Sequence, residues 1–191
     1  MENPHSETGQ LPDDSSIQSI SHYISSHDTN IGIIFLQTSF LIPFGLSFNS
    51  VAIAMASSVR IAAYHASPIF LSAKHTTAKA IALIKQAANS QANLVVFPET
   101  YISAFPVWSS LRPPTKNHNL FKRMVLESVY ADRDKIQTTR ATAKQLNVMV
   151  SIGLFKKVRS SSATLYNSNV LIKDDGGVLV QTENMTQEII V

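Results

Sequence analysis

An α/β fold with a mixed sheet is predicted for this chain by three observations. The β-rich run "VRIAAYH" (59–65) is followed by a helical apolar stripe over 72–92 and then by the continuous apolar run "LVVF" (94–97). Strand, helix and strand in that order form a βαβ unit, which implies parallel pairing and a right-handed crossover. Further on, "VMVSIGLFKKV" (148–158), "ATLYNSNVLI" (163–172) and "VLVQT" (178–182) are strand-like, and "KDDGG" joins the last two as a hairpin.

Each element has its own local reason. Ser67 and Pro68 close the first strand. In the helix, Ala73, Thr77, Ala80, Ile81, Ile84, Ala87 and Ala88 share one face, while Lys74, Lys79 and Lys85 fall largely outside it; Ser72 is the candidate N-cap. "LVVF" has the character of a strand buried on both faces. After the "RPP" break, residues 117–131 and 132–147 are two more helical stretches, the second with Asp132 as its candidate cap. In the hairpin, Asp175-Gly176 or Gly176-Gly177 supplies the positive φ angles.

The composition bounds the class. With 191 residues, 45% hydrophobic and 15% charged, the chain suits a globular or partly membrane-associated protein and not a disordered one. A net charge of +3 is too small to argue for nucleic acid. It hides an asymmetry: residues 1–59 hold no Lys or Arg and five of the 13 acids, so all 16 basic residues lie beyond. The shift marks a boundary near residue 58. There is no cysteine, which excludes disulfides, thiolate metal sites and thiol catalysis by the chain itself.

Before the boundary, residues 1–30 are rich in Ser, Asp, Asn and His and are expected to be disordered or loop-like. The uncharged stretch at about 31–56 is long enough to cross a bilayer, although Gln37, Pro43, Gly45 and Asn49 weaken that reading. The alternative is an extension foreign to the following domain, with Met55 as the biological start. A cytoplasmic location is expected, with membrane anchoring as the alternative.

The chemistry centres on "LVVFPETYISAFPVW" (94–108). Ligands of open α/β sheets gather beyond the carboxyl ends of the strands, and Glu99 follows such a strand at once. Walled by Phe97, Tyr101, Phe105 and Trp108, its carboxylate would be desolvated, with a raised pKa, and act as a general base. A solvated loop glutamate is the alternative. Tyr101 and Trp108 are candidate substrate-binding residues, with an aromatic core as the competing reading.

These residues carry a resemblance. "VRIAAYHASPIFL", "LVVFPETYISAFPVW", "SLRPPT", "LFKRMVLESVYA", "SIGLFKKVRSSSATLYNSNVLI" and "DDGGVLV" stand in the order and spacing of the nitrilase branch of the carbon–nitrogen hydrolase superfamily. The chain resembles its fungal and bacterial nitrilases over about 59–180, with 181–191 as an unmatched tail. The resemblance implies an αββα sandwich, of which this is the N-terminal part, and a Glu–Lys–Cys triad acting on a small-molecule nitrile or amide. It assigns Glu99 as the proton acceptor. The family's lysine motif falls close to Asn184 in "QTENMTQEIIV", where no lysine stands, and its cysteine has no counterpart here. The resemblance therefore implies a truncated, inactive hydrolase; a non-catalytic remnant or a membrane-anchored interaction protein is the alternative. It implies no cofactor and assembly into homo-oligomers.

The remaining candidates are weaker. Lys116, His118, Lys122 and Arg123 suit a solvated helix face better than a nucleic-acid surface. Six scattered histidines show no metal-ligand spacing, so no metal is expected. Lys156 and Lys157 lie in a strand and are not substitutes for the missing lysine.

Overall fold

The computed structural model describes residues 19–26, 31–41, 56–130, 134–160 and 164–185. Seven strands form one sheet in chain order: β1 (Ser19–Ser26), β2 (Ile31–Leu41), β3 (Ala56–Ala66), β4 (Leu94–Val96), β5 (Met149–Lys157), β6 (Leu165–Ile172) and β7 (Val178–Met185). β3, β4 and β5 run parallel and the other pairs antiparallel, so the sheet is mixed, as the sequence predicts.

The βαβ unit is β3, α1 (Ala73–Asn89) and β4. The buried arc of α1 differs from the predicted stripe. Thr76 and Leu83 are inside, whereas Ile81 and Ala88 are half-buried. Two contacts fix this rotation. Tyr64 Oη donates to Leu83 O at 2.7 Å, and Thr76 Oγ1 accepts from Ile69 N at 3.0 Å. Ser72 holds the N-cap position, but its hydroxyl bonds His75 Nδ1 at 2.7 Å. A carboxylate from α3 (His118–Glu127) serves the helix end instead, with Ala73 N donating to Glu127 Oε2 at 2.7 Å. α4 (Asp134–Leu146) lies beside α1. Asp132, the predicted cap, lies outside the described residues.

The core occupies one side of the sheet. Ala62, Tyr64, Val95, Val150, Ile152 and Ile172 pack with Ala80, Ile84, Ile136 and Ala143 from the two helices. On the other side, the register aligns Ile34, Ala63, Val96, Ser151 and Leu171 in one row, and Leu36, Ile61, Leu94 and Met149 in the next. Every one of these residues is half-buried or exposed. "LVVF" is therefore not buried on both faces: in β4 only Val95 is fully buried. The physical reason is that no second sheet lies over these rows among the described residues. Only one end of this face is capped, where Leu71, Trp108, Met124, Phe155 and Leu165 form a smaller cluster.

The region before the boundary is corrected in two places. Residues 19–26, expected to be loop-like, form β1. The apolar stretch begins as β2, paired antiparallel to β3 along its whole length from Ile31↔Ala66 to Leu41↔Ala56. Unpaired N–H and C=O groups on the edge of β3 offer a partner to any extended segment, and Ile31, Ile33, Ile34 and Phe35 favour extended backbone. Residues 42–55, with Met55, lie outside the described residues. Among those described, no helix is long and apolar enough to cross a membrane. At the other end, β7 runs on through Met185, so residues 181–185 of the expected tail pair with β6. In the hairpin, Gly176 alone takes positive φ (82°), and Lys173 N donates to Gly177 O at 2.7 Å.

Ile152 is fully buried between the sheet and the helices. Ile152→Ala should lower the free energy of unfolding by about 2–5 kcal/mol, measured by urea denaturation.

Candidate active site

Glu99 stands where β4 ends, and the path of the chain there is set by a glycine. The segment after β4 crosses β5 at Gly153, with Phe97 N donating to Ser151 O at 2.9 Å and Ile102 N to Gly153 O at 3.1 Å. A Cβ on Gly153 would lie 2.4 Å from Thr100 N, 2.6 Å from Pro98 O and 2.8 Å from Glu99 C. These are backbone atoms with no rotamer to yield, so only glycine permits this crossing. Thr100 (φ 49°) and Ala104 (φ 70°) take the left-handed conformation on either side of the next turn. Non-glycine residues hold such angles at a cost of about 1–3 kcal/mol, which marks functional loops.

The crossing lays Glu99 on the open face of the sheet. There Asn167 Nδ2, on β6, donates to Glu99 Oε1. Asn167 pairs in register with Phe155 on one side and Asn184 on the other, so the position nearest the expected lysine motif neighbours the residue that holds Glu99. Next along the face, Ser151 Oγ donates to Asn169 Oδ1 at 3.0 Å. Asn167 was not a candidate in the sequence. It lies 68 positions from Glu99, and its one local signal is a polar side chain where strand alternation allows an apolar one.

The expected aromatic shelter around Glu99 is corrected. Glu99 is exposed, and so is Phe105, at 52%. Phe97 and Tyr101 turn to the opposite side and enter the main core. Their ring centroids are 5.0 Å apart, and Phe97 in turn stacks on Tyr64 at 5.5 Å. Trp108, in α2 (Val107–Leu111), packs edge-on to Phe121 at 4.6 Å in the smaller cluster. Burying large aromatic surface beneath the helices is more favourable than lining an open face with it. Tyr101 is 1% exposed, and its predicted role at the substrate is not where the structure places its ring. Thr100 Oγ1, Tyr101 Oη, Ser103 Oγ and Trp108 Nε1 are buried without a protein hydrogen-bond partner, so this loop carries a real polar cost.

Other groups point elsewhere. Lys157 Nζ bonds Val125 O at 3.4 Å and lies 4.9 Å above the Tyr130 ring. A groove lined by Gln137, Arg140, Lys144 and Asp175 sits near the far end of β6 from Asn167. Among the described residues, no three His, Asp or Glu side chains gather as a metal site.

Two outcomes are expected. Gly153→Ala should destabilise the fold by about 1–3 kcal/mol in urea denaturation and break the Asn167–Glu99 contact, seen as a shift of the Asn167 side-chain amide signal in NMR spectra. Burial pushes the hydroxyls of Tyr64 and Tyr101 up to about 12. The unfolded chain ionises them near 10, so their contribution is complete below pH 10 and is lost as pH rises towards 12. The urea midpoint should fall across that window, and less steeply in Tyr101→Phe.

Comparison with known proteins follows the same stretch of chain. The family model for carbon-nitrogen hydrolases matches residues 60–186, beyond the Val180 at which the motifs fade. An arylacetonitrilase of Hypocrea virens is 34% identical over 127 residues, covering 66% of this chain and 37% of that protein. An arylacetonitrilase of Aspergillus oryzae is 32% identical, covering 64% and 35%, and a nitrilase of Pseudomonas syringae pv. syringae is 31% identical, covering 64% and 35%. The chain thus spans little more than a third of these relatives' length. Among solved structures, the C. elegans NitFhit protein is similar at 19% identity and TM-score 0.48, over 66% of this chain and 27% of that one. An amidase from Nesterenkonia sp. is similar at 15% identity and TM-score 0.48, over 66% and 42%. By the match over 60–186, this chain belongs to the carbon–nitrogen hydrolase family.

Proposed function

We propose that this chain carries the general-base portion of a hydrolase acting on nitriles or amides, with Glu99 as the proton acceptor. The observation that carries the reading is the placement of Glu99 at the end of β4, fixed by the Gly153 crossing and held by Asn167. In the reaction that the resemblance implies, the base takes the proton of a thiol and the sulfur attacks the carbon. An amide then loses ammonia directly, whereas a nitrile gives a thioimidate that adds one water before ammonia leaves. In both cases a further water releases the acid from the thioester. A cation beside the base stabilises the tetrahedral intermediate. Glu99 with Asn167 supplies the acceptor and its orientation. Asn184, opposite Asn167 in register, is an uncharged residue near the family's lysine position, and the 191 residues include no cysteine.

The chain by itself is therefore a poor catalyst. Losing members of a nucleophile–base unit costs several orders of magnitude in rate. The two fungal relatives compared above are named arylacetonitrilases, which makes an arylacetonitrile the first substrate to test, beside an aliphatic nitrile.

Incubation of the isolated chain with either nitrile should release no ammonia above a Glu99→Gln control. Co-expression with the remaining two thirds of the Hypocrea virens relative should give ammonia release that Glu99→Gln abolishes. Turnover by the chain alone, or release in the mixture that is indifferent to Glu99→Gln, overturns the assignment.

A further inference from the structure

The groove between α4 and the β6–β7 turn has no part in the chemistry proposed for Glu99. Its volume of about 510 Å³ is that of a small-molecule site, and its lining is Gln137, Arg140, Ala141 and Lys144 from α4 with Asp175, Gly176 and Gly177 from the turn. The two walls are locked together. Arg140 Nε donates to Gly176 O at 2.7 Å, and Gly176 N donates to Lys173 O at 2.9 Å across the turn. Gly176 is buried with φ at 82°, and a Cβ there would lie 3.0 Å from Arg140 O and 3.3 Å from Lys144 Cβ. A groove held in this way stands ready before a ligand arrives, so binding does not have to order it.

The charge of this groove is one-sided. From Lys135 to Lys173 the chain holds no Asp or Glu, so α4 offers Arg140 and Lys144 no acid beyond Asp134. These two cations stand one turn apart on the same helix face as Gln137, and like charges at that spacing repel. The carboxylate in the lining, Asp175, is already committed. Its Oδ2 accepts from Lys173 Nζ at 2.9 Å and its Oδ1 from Gly177 N at 2.6 Å, and both bonds hold the carboxyl below the usual carboxylate range. Arg140 spends Nε on Gly176 and one Nη1 hydrogen on Gln137 Oε1 at 3.3 Å. Its other N–H groups and Lys144 Nζ make no hydrogen bond to the described residues. We propose that the groove binds a small organic oxyanion, a carboxylate or a phosphate monoester, held by the free edge of the Arg140 guanidinium and by the Lys144 ammonium. Such a group gains charge-assisted hydrogen bonds and relieves the repulsion between the two cations. The Gln137 amide adds a neutral donor beside them. The proposal does not depend on the role of Glu99, which lies towards the other end of β6, against Asn167.

The test is a titration of the ¹⁵N-labelled chain with phenyl phosphate and, separately, with benzoate, at constant ionic strength. The two probes share a ring and differ in the anionic group, so the tighter one identifies which oxyanion the groove prefers. NMR signals of the Arg140 Nε–H and of the Gly176 and Gly177 amides should shift and saturate with at least one of them, and chloride should not reproduce the shifts. Lys144→Gln breaks no hydrogen bond within the described residues and should weaken binding roughly tenfold. Arg140→Lys keeps the charge but loses the fork and should do the same, whereas Lys85→Gln, on the exposed side of α1, should leave the affinity unchanged. Absence of a saturable shift at these signals with both probes overturns the proposal. So do equal shifts with chloride, or a Lys144→Gln chain that binds as tightly as Lys85→Gln.

Discussion

The candidate site depends on one contact, the passage of the Pro98–Thr100 backbone across Gly153. A loop that passes this close over the neighbouring parallel strand needs a missing side chain at the crossing. At Gly153 the missing Cβ allows three backbone atoms to approach within 2.8 Å of the place it would occupy. That proximity turns Glu99 onto the open face and Phe97 and Tyr101 beneath the helices. The division of the segment between two faces is thus a consequence of chain path, not of the separate preferences of its side chains. The left-handed Thr100 and Ala104 and the unpartnered buried hydroxyls nearby are sustained by the packing of Tyr101 and Ile102 between them in the core.

The same sheet has two unequal faces. Beneath α1 and α4 the side chains interdigitate and are fully buried; opposite, the rows from Ile34 to Leu171 are half-buried or exposed. Glu99 belongs to the second face. A carboxylate in contact with water is well solvated. Asn167 can orient it without supplying charge. A layer over this face would bury its apolar rows, and those rows end near Glu99.

The legibility of the sequence follows the range of the forces involved. β3, α1 and β4 stand out because periodicity is local, and the hairpin because Asp-Gly-Gly has few conformations. The placement of Glu99 directly after a strand is legible because strand and motif are contiguous in the chain. The rotation of α1 is not, since it depends on Tyr64 and Ile69 reaching Leu83 and Thr76. Nor is the fate of the apolar stretch before the boundary: an uncharged run has no period to distinguish helix from strand, and the free edge of β3 decides it. Tyr101 and Trp108 show the same limit. Both are aromatic residues beside a candidate base, yet which way each ring turns is settled by Gly153 and by Phe121, residues some distance along the chain.

Asn167 is the most instructive of these residues. In β6 the side chains at Leu165, Val170 and Ile172 are buried, whereas Asn167 and Asn169 are only half-buried. A sheet that buried both faces without any polar task would favour apolar residues at 167 and 169, because each amide costs desolvation when covered. Their hydrogen bonds to Glu99 and Ser151 offset that cost in pairs. Polar groups satisfied in this way tolerate a covering layer, whereas solitary ones resist it. The end of β4 thus carries a carboxylate already hydrogen-bonded at the margin of an apolar sheet surface.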